Sequence, residues 1–141
     1  MTKEEKQLLL IILCEMMPYG VKGIITYDES NTIFTVEGID NNVLHLSDAE
    51  ACNVEDFKPY LRQMDSMSEE ESAELSNIIS EWFDKELFYL TEEPFLEYAL
   101  SRINHSISPK LFDWLNKNMF DYRGLIPMGL ALEAPKDMYN V

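Results

Sequence analysis

Residues 58–71 divide the chain into two parts whose hydrophobic patterns differ. Before this stretch, apolar and polar residues alternate in short runs between turn residues, which is typical of β-strands. After it, apolar residues recur at the spacing of an amphipathic helix. Ser68 and Glu71 form the sequence signature of a capping box, which marks the start of that helix. The sequence therefore predicts one α+β domain, with a helix and a sheet in a layer formed by residues 1–64 and helices in a layer formed by residues 65–141.

The amino-terminal part is predicted to form one helix and a small antiparallel sheet. Thr2 is suited to cap a helix over residues 3–17, which Pro18 and Gly20 would end. Pro59 cannot donate a hydrogen bond to a ladder, so the strand that follows it is expected at an edge. Such short strands would form a strongly bent sheet or an SH3-like barrel. The alternation predicts a meander of three strands, which two further segments extend to four or five, at 21–27, 32–37, 43–47, 51–57 and 60–62.

The carboxyl-terminal half is predicted to be helical. A helix from residue 69 to about residue 84 has an apolar stripe on one side and polar residues on the other. Two further helices are expected after Thr91 and Ser108, because each is followed by residues suited to a first helical turn. Residues 85–90 fit either a helix or a short buried strand. An extended apolar segment is predicted after Gly129.

The chain is strongly acidic, with a net charge of -15 from 26 acidic and 11 basic residues. Between residues 65 and 97, eleven acidic residues accompany a single basic one, Lys85. This charge repels nucleic acid and anionic membranes, so we expect neither as a partner. The apolar run at 8–14 is shorter than the ~20 residues of a transmembrane helix. Two cysteines without C-x-x-C spacing predict reduced thiols and a cytoplasmic location.

Two surfaces are candidates for protein contacts. The first helix is apolar on all sides from residue 8 to residue 14, which indicates either a helix sandwiched in the core or a contact with a partner or a second copy of the chain. The second surface is the acidic face of the helix that begins at residue 69. The candidate contact residues of the two surfaces are Leu8, Ile11, Ile12, Glu70, Glu74, Glu81 and Asp84.

No catalytic, nucleotide-binding or zinc-protease motif is present in the sequence. His45 and His105 are its two histidines, and both are predicted at the surface. A zinc site would need ligands from four distant segments, so no metal, cofactor or catalytic residue is expected. The glutamates at 69–71 suit the amino-terminal end of a helix dipole better than acid–base catalysis. Arg62 and Arg123 are expected in structural ion pairs between the sheet and the helices.

Two segments of the chain are distinctive. The first is KPYLRQMDSMSEEE at 58–71, and the second contains WLN, FDYRGLI and GLALEAP within 114–135. Both resemble segments of small proteins from Bacteroidales gut bacteria and their phages, and parts of residues 2–22 resemble the amino-terminal residues of the same proteins. The resemblance extends over about half of the chain and implies a gene of a gut bacterium, a prophage or a mobile element, but no activity. Pro127 departs from the glutamate of the similar segments, which argues against a continuous helix through Ile126.

The sequence favours a non-enzymatic protein-interaction module with a protein partner of unknown identity or a homodimer. Two alternatives follow from the many carboxylates. An acidic mimic of nucleic acid could block a DNA-binding host or defence protein, since the helical rise of about 1.5 Å per residue is close to the ~1.7 Å per charge of duplex DNA. An enzyme could use carboxylates in a cleft between the two layers.

Overall fold

The computed structural model describes residues 1–80 and 109–139. These residues form an α+β fold with an amino-terminal helix, a mostly antiparallel sheet and later helices, which confirms the predicted class. The predicted helix after Thr91 and the ambiguous stretch at 85–90 lie outside the described residues. In chain order, the elements are α1 (Lys3–Met16), β1 (Lys22–Ile25), β2 (Phe34–Asp40), β3 (Val43–Leu46), β4 (Ala51–Asn53), β5 (Phe57–Leu61), α2 (Glu69–Ser80), α3 (Pro109–Lys117) and β6 (Leu132–Glu133).

Helix α1 begins at the predicted cap. Thr2 Oγ1 accepts a hydrogen bond from the Glu5 amide at 3.0 Å, and Glu5 Oε1 accepts one from the Thr2 amide at 2.8 Å, which completes a capping box. The helix ends at Met16, and a 3-10 turn (Met17–Tyr19) leads to Gly20 with a φ of +82°. This conformation is strained for residues with a Cβ, so Gly20 allows the chain to turn into β1.

The six strands form one sheet in the order β4-β3-β2-β1-β5-β6. Strands β1 to β5 pair antiparallel, as predicted for the meander, whereas the sixth strand, β6, exceeds the predicted three to five and pairs with β5 in parallel. A 3-10 turn (Val54–Asp56) precedes β5, and the SH3-like barrel stays a prediction. Among the described strands, β4 and β6 are the two ends, so the sheet is open. A register shift between Val36 and Gly38 marks a bulge in β2, where strands bend.

Strand β5 has neighbours on both sides, so the prediction of an edge strand after Pro59 is wrong. Gly23 of β1 pairs with Pro59 on one side, and Leu132 of β6 pairs with Tyr60 on the other. The partner on the second side comes from the far carboxyl-terminal end of the chain, for which local sequence patterns give no signal. Pro59 has no N–H to donate, but β6 begins opposite Tyr60, one residue further along β5. No strand therefore lies beside Pro59 on the β6 side, and its missing N–H is tolerated there.

Two clusters of buried side chains form the core. The sheet-side cluster joins α1 to the strands and also includes Met119, Leu125 and Leu130 from the carboxyl-terminal part. The helix-side cluster joins α2 to α3, and Tyr122 packs against both clusters. The residues after α3 therefore contribute to both layers. The members of the helix-side cluster are Leu75, Ile78, Leu111, Phe112, Leu115 and Phe120.

None of the helices within residues 1–80 and 109–139 has the length and apolar character that a membrane span requires.

The Tyr139 hydroxyl bridges β1 and β5 beyond the last pair of their ladder. It accepts a hydrogen bond from the Lys22 amide at 2.8 Å and lies 2.8 Å from the Tyr60 carbonyl oxygen, to which it donates. Burial raises the pKa of Tyr139 above its ordinary range, so the hydroxyl remains a donor. The carboxyl-terminal segment is thereby attached to the backbone of two strands.

Replacing Tyr139 with phenylalanine is expected to lower the free energy of unfolding by about 1–2 kcal/mol, because a backbone amide and a carbonyl lose their partner. Urea denaturation of the wild type and the variant measures this difference. Tyr27→Phe is the matched control, since the Tyr27 residue is 65% exposed, and it should leave the midpoint unchanged. Equal midpoints for Tyr139→Phe and the wild type would contradict the bridging role.

Candidate functional site

Arg62 joins the sheet to the helical layer. Directly after β5, its amide donates to the Met119 carbonyl and its carbonyl accepts from the Asp121 amide, both at 2.8 Å. Its guanidinium lies over the Phe120 ring, 4.3 Å from the ring centre, which is a cation–π contact. The two terminal nitrogens donate to the two carboxylate oxygens of Glu71 at 2.7 and 2.6 Å. This bidentate pair links β5, the turn after α3 and the first turn of α2.

Glu71 has two roles at the start of α2. Its amide donates to Ser68 Oγ and its carboxylate accepts from the Ser68 amide, each at 3.1 Å, which confirms the predicted capping box. The same carboxylate binds Arg62, whose hydrogen bonds hold the pKa of Glu71 below its usual range. Both side chains of the pair are less than one-fifth exposed, at 18% and 17%. The cap and the ion pair share one carboxylate, so the first turn of α2 is fixed relative to β5.

A cleft of about 640 Å³ lies beside this ion pair. Four segments line it, which are the turn after β5, the first turns of α2, Asn118 after α3, and β6 with the residues up to Tyr139. Its volume lies in the range of about 300–1,000 Å³ that is usual for ligand sites. Beyond the pair of Arg62 and Glu71, the charged lining residues are Glu70, Glu74, Glu133, Lys136 and Asp137.

The cleft has a net negative charge. Glu71 offsets the charge of Arg62, so four exposed carboxylates remain beside the single ammonium group of Lys136. Trp114 holds one of these carboxylates in place, because its Nε1 donates to Glu74 Oε2 at 3.0 Å. Several carboxylates around one concave surface create a negative potential that attracts cations. The cleft is therefore suited to the ammonium or guanidinium groups of another molecule.

A second polar network joins α1 to the carboxyl-terminal part. The Tyr122 hydroxyl lies 2.8 Å from Glu15 Oε2 and 2.8 Å from Asn116 Oδ1, and Arg123 Nη2 lies 3.3 Å from Glu15 Oε1. Burial, followed by the hydrogen bond to Glu15, raises the pKa of Tyr122 above its ordinary range. None of these four residues lines the cleft. Their contacts attach α1 to the segment after α3, which is a structural role.

The contact residues predicted on α1 differ in exposure. Ile12 is 1% exposed and belongs to the sheet-side cluster, and Leu8 is half-buried against the same cluster. Ile11, by contrast, is 40% exposed. The core thus covers the Ile12 side of α1, and Ile11 lies on the side that is open to solvent in the described part of the chain. A partner contact at this helix stays a prediction.

The acidic residues predicted on α2 lie partly in the cleft. Glu70 and Glu74 are exposed and line it, whereas Glu81 and Asp84 lie outside the described residues. Sequence reasoning missed Glu133 and Asp137, which are far from α2 in the chain and have no motif of their own. No sequence pattern around these two residues relates them to α2.

The histidines, cysteines and carboxylates of the described residues are the candidates for metal binding or nucleophilic chemistry. Within residues 1–80 and 109–139, no group of three or more histidine, cysteine, aspartate and glutamate side chains is placed to hold a metal ion. Burial raises the pKa of the Cys52 thiol to about 11, and it also raises the pKa of Cys14, so neither is a thiolate at neutral pH. His45 is exposed, as predicted, and His105 lies outside the described residues.

The two distinctive segments, residues 58–71 and residues 114–135, lie together around Arg62. Residues 58–71 contribute β5 and the ion pair, and residues 114–135 contribute Phe120 and β6, whose next residue, Ala134, donates its amide to the Leu61 carbonyl at 2.8 Å. These two segments thus contribute residues to the cleft lining and the contacts that support it. No family model matches the chain, and no curated protein or solved structure is significantly similar to it.

Proposed function

We propose that this protein is a non-enzymatic interaction module that binds a basic segment of a partner protein in the acidic cleft. The observation that carries the proposal is the excess of carboxylates among the exposed charges of the cleft. A lysine or arginine side chain in the cleft would be close to several carboxylates and partly shielded from water, which strengthens the attraction. The net charge of -15 would also increase the association rate with a basic partner.

The charges of the cleft support binding over the two alternative functions. General acid catalysis needs a carboxyl group whose pKa is raised towards neutrality, whereas Arg62 shifts the pKa of Glu71 in the opposite direction. A mimic of nucleic acid needs its charges in regular rows on one face. In the described part of the chain, exposed acidic residues also lie away from α2, for example Glu29 in the turn before β2 and Glu37 in β2.

We further propose that the protein acts in the cytoplasm of a gut bacterium, encoded by the bacterium, a prophage or a mobile element. Cys14 and Cys52 are both free thiols, which is usual in a reducing compartment. The resemblance of residues 58–71 and 114–135 supports this source. The partner would then be a protein of the same cell with an accessible basic segment.

Calorimetric titration with a lysine-rich peptide tests the proposed function. Replacing Glu70 and Glu74 together by glutamine is expected to weaken binding about tenfold, because two partly exposed charge contacts are lost. Glutamine retains an oxygen that can accept the hydrogen bond from Trp114, so the local structure is preserved. The affinity of the wild type should also fall with increasing salt concentration.

The control is the double variant Glu29→Gln with Glu37→Gln. It changes the net charge of the chain by the same amount. Both residues are exposed and lie outside the cleft, Glu29 in the turn before β2 and Glu37 in β2. We expect this variant to bind the peptide with nearly wild-type affinity. Equal losses in the two double variants would show that the peptide responds to net charge alone, and the cleft would no longer be the binding site.

A further inference from the structure

Strand β6 is one end of the sheet, and one of its backbone edges has no strand beside it in the described part of the chain. Leu132 pairs with Tyr60, and the Ala134 amide donates to the Leu61 carbonyl at 2.8 Å. In a strand, successive residues direct their N–H and C=O groups to opposite edges. The N–H and C=O of Glu133 therefore point away from β5, towards the open edge.

The same segment lines the acidic cleft. Glu133, Ala134 and Pro135 belong to its lining, together with Glu70 and Glu74 of α2. A chain that bound along the open edge of β6 would therefore lie close to these carboxylates. Pro135 has no N–H to donate, so the edge offers few main-chain hydrogen bonds. Charge must then supply much of the affinity.

We propose that the partner binds by strand addition, with an extended segment pairing with Glu133 along β6 and its lysine or arginine side chains among the cleft carboxylates. This inference rests on the proposed function and specifies the conformation of the bound segment. Main-chain hydrogen bonds at an open edge hold an extended peptide whatever its sequence, and pockets for alternate side chains select the residue type. Because side chains of a strand alternate, basic residues at every second position would share one side.

A second copy of this chain fits the edge less well than a basic partner does. Pairing of β6 with β6 would bring two Glu133 side chains close together, and each chain has a net charge of -15. Like charges on neighbouring strands are destabilising. A segment with lysine or arginine at alternate positions has the complementary charge, and it is the occupant that the cleft favours.

The test compares two peptides in calorimetric titrations of the full chain. The first is a capped peptide of alternating lysine and valine, and the second has the same sequence with methylated backbone amides. Methylation keeps the side-chain charges but removes the main-chain donors and crowds the edge of the peptide. We expect the methylated peptide to bind at least about tenfold more weakly, which corresponds to the loss of one or two main-chain hydrogen bonds.

Two substitutions at one position test the same inference from the protein side. Glu133→Gln removes the charge, whereas Glu133→Pro removes both the charge and the amide donor of the open edge. The hydrogen bond from Ala134 to Leu61 does not use this amide, so β6 can remain paired in both variants. The proline variant should bind the unmethylated peptide several-fold more weakly than the glutamine variant. Urea denaturation of both variants checks that they remain folded.

The outcomes separate this inference from the proposed function. If both peptides bind equally, and both lose affinity in Glu70→Gln with Glu74→Gln, strand addition is wrong and the acidic cleft remains the binding site. Equal binding by the proline and glutamine variants would likewise overturn strand addition. If the unmethylated peptide does not bind, or binds without regard to Glu70 and Glu74, the proposed function fails and the inference fails with it.

Discussion

Replacing Gly23 with alanine is expected to lower the free energy of unfolding by about 3 kcal/mol or more. Gly23 lies inside the sheet, opposite Phe34 of β2 and Pro59 of β5. A Cβ at Gly23 would come closer than 3.0 Å to the Lys58 carbonyl oxygen and to the Phe57 ring. Neither group can move easily, because Lys58 belongs to the β1–β5 ladder and the Phe57 side chain is fully buried. Urea denaturation measures the loss.

Gly38→Ala is the matched control within the same sheet. A Cβ at Gly38 would have its nearest neighbour, His45 Cβ, at 3.7 Å, which is an ordinary contact distance. We expect this substitution to change the free energy of unfolding by no more than about 0.5 kcal/mol. Similar losses for the two glycine variants would mean that Phe57 and β5 accommodate the methyl group, and the crowding inferred for Gly23 would be refuted.

The parts of the fold that could be predicted are those with local signals. Thr2 and Ser68 are caps whose partners lie three residues away, so both helix starts could be read from the sequence. The meander follows from alternation and turn residues that are close in the chain. Strand β6 has two residues and pairs with Tyr60 and Leu61, which are far away in the sequence, so no local pattern indicates it. The close approach of β5 to Gly23 likewise depends on pairing between residues that are far apart in the sequence, so no local pattern indicates it.

The ion-pair residues of the candidate site could be predicted from local signals, but the cleft beside them could not. The scarcity of cations in this chain predicts that Arg62 binds a carboxylate of the helical layer. The sequence assigns the partner, Glu71, to the capping box, and the structure shows that one carboxylate serves both contacts. The cleft itself depends on how β6 and the residues after it pack beside α2. Glu133 and Asp137 thus become part of an acidic site only through long-range contacts.

Replacing Arg62 with methionine is expected to lower the free energy of unfolding by about 2–4 kcal/mol. Methionine keeps an apolar side chain over Phe120 but has no guanidinium, so Glu71 would lose its cation. A carboxylate that is 17% exposed cannot recover this interaction fully from water. The hydrogen bonds of Glu71 with Ser68 remain, which limits the loss. Urea denaturation at neutral pH measures the difference.

Lys6→Met removes an ion pair of a different kind and is the control for Arg62→Met. Lys6 Nζ lies 3.1 Å from Glu55 Oε2, but these side chains are 33% and 45% exposed. Exposed pairs contribute at most about 1 kcal/mol, because water solvates each charge nearly as well as the partner does. A loss for Lys6→Met as large as that for Arg62→Met would contradict the importance of burial at the Arg62 site.

The stabilisation by Arg62 is also expected to depend on pH. Arg62 lowers the pKa of Glu71 in the folded state, so its contribution is complete above the ordinary glutamate pKa of about 4.3 and is lost as the pH falls through the lower folded-state pKa. The difference in unfolding free energy between the wild type and Arg62→Met should be constant down to about pH 5 and shrink below about pH 4. In a Glu71→Gln background, which does not titrate at this position, the effect of Arg62→Met should be smaller and independent of pH. A difference that stayed constant in acid would assign the effect of Arg62 to its contact with Phe120.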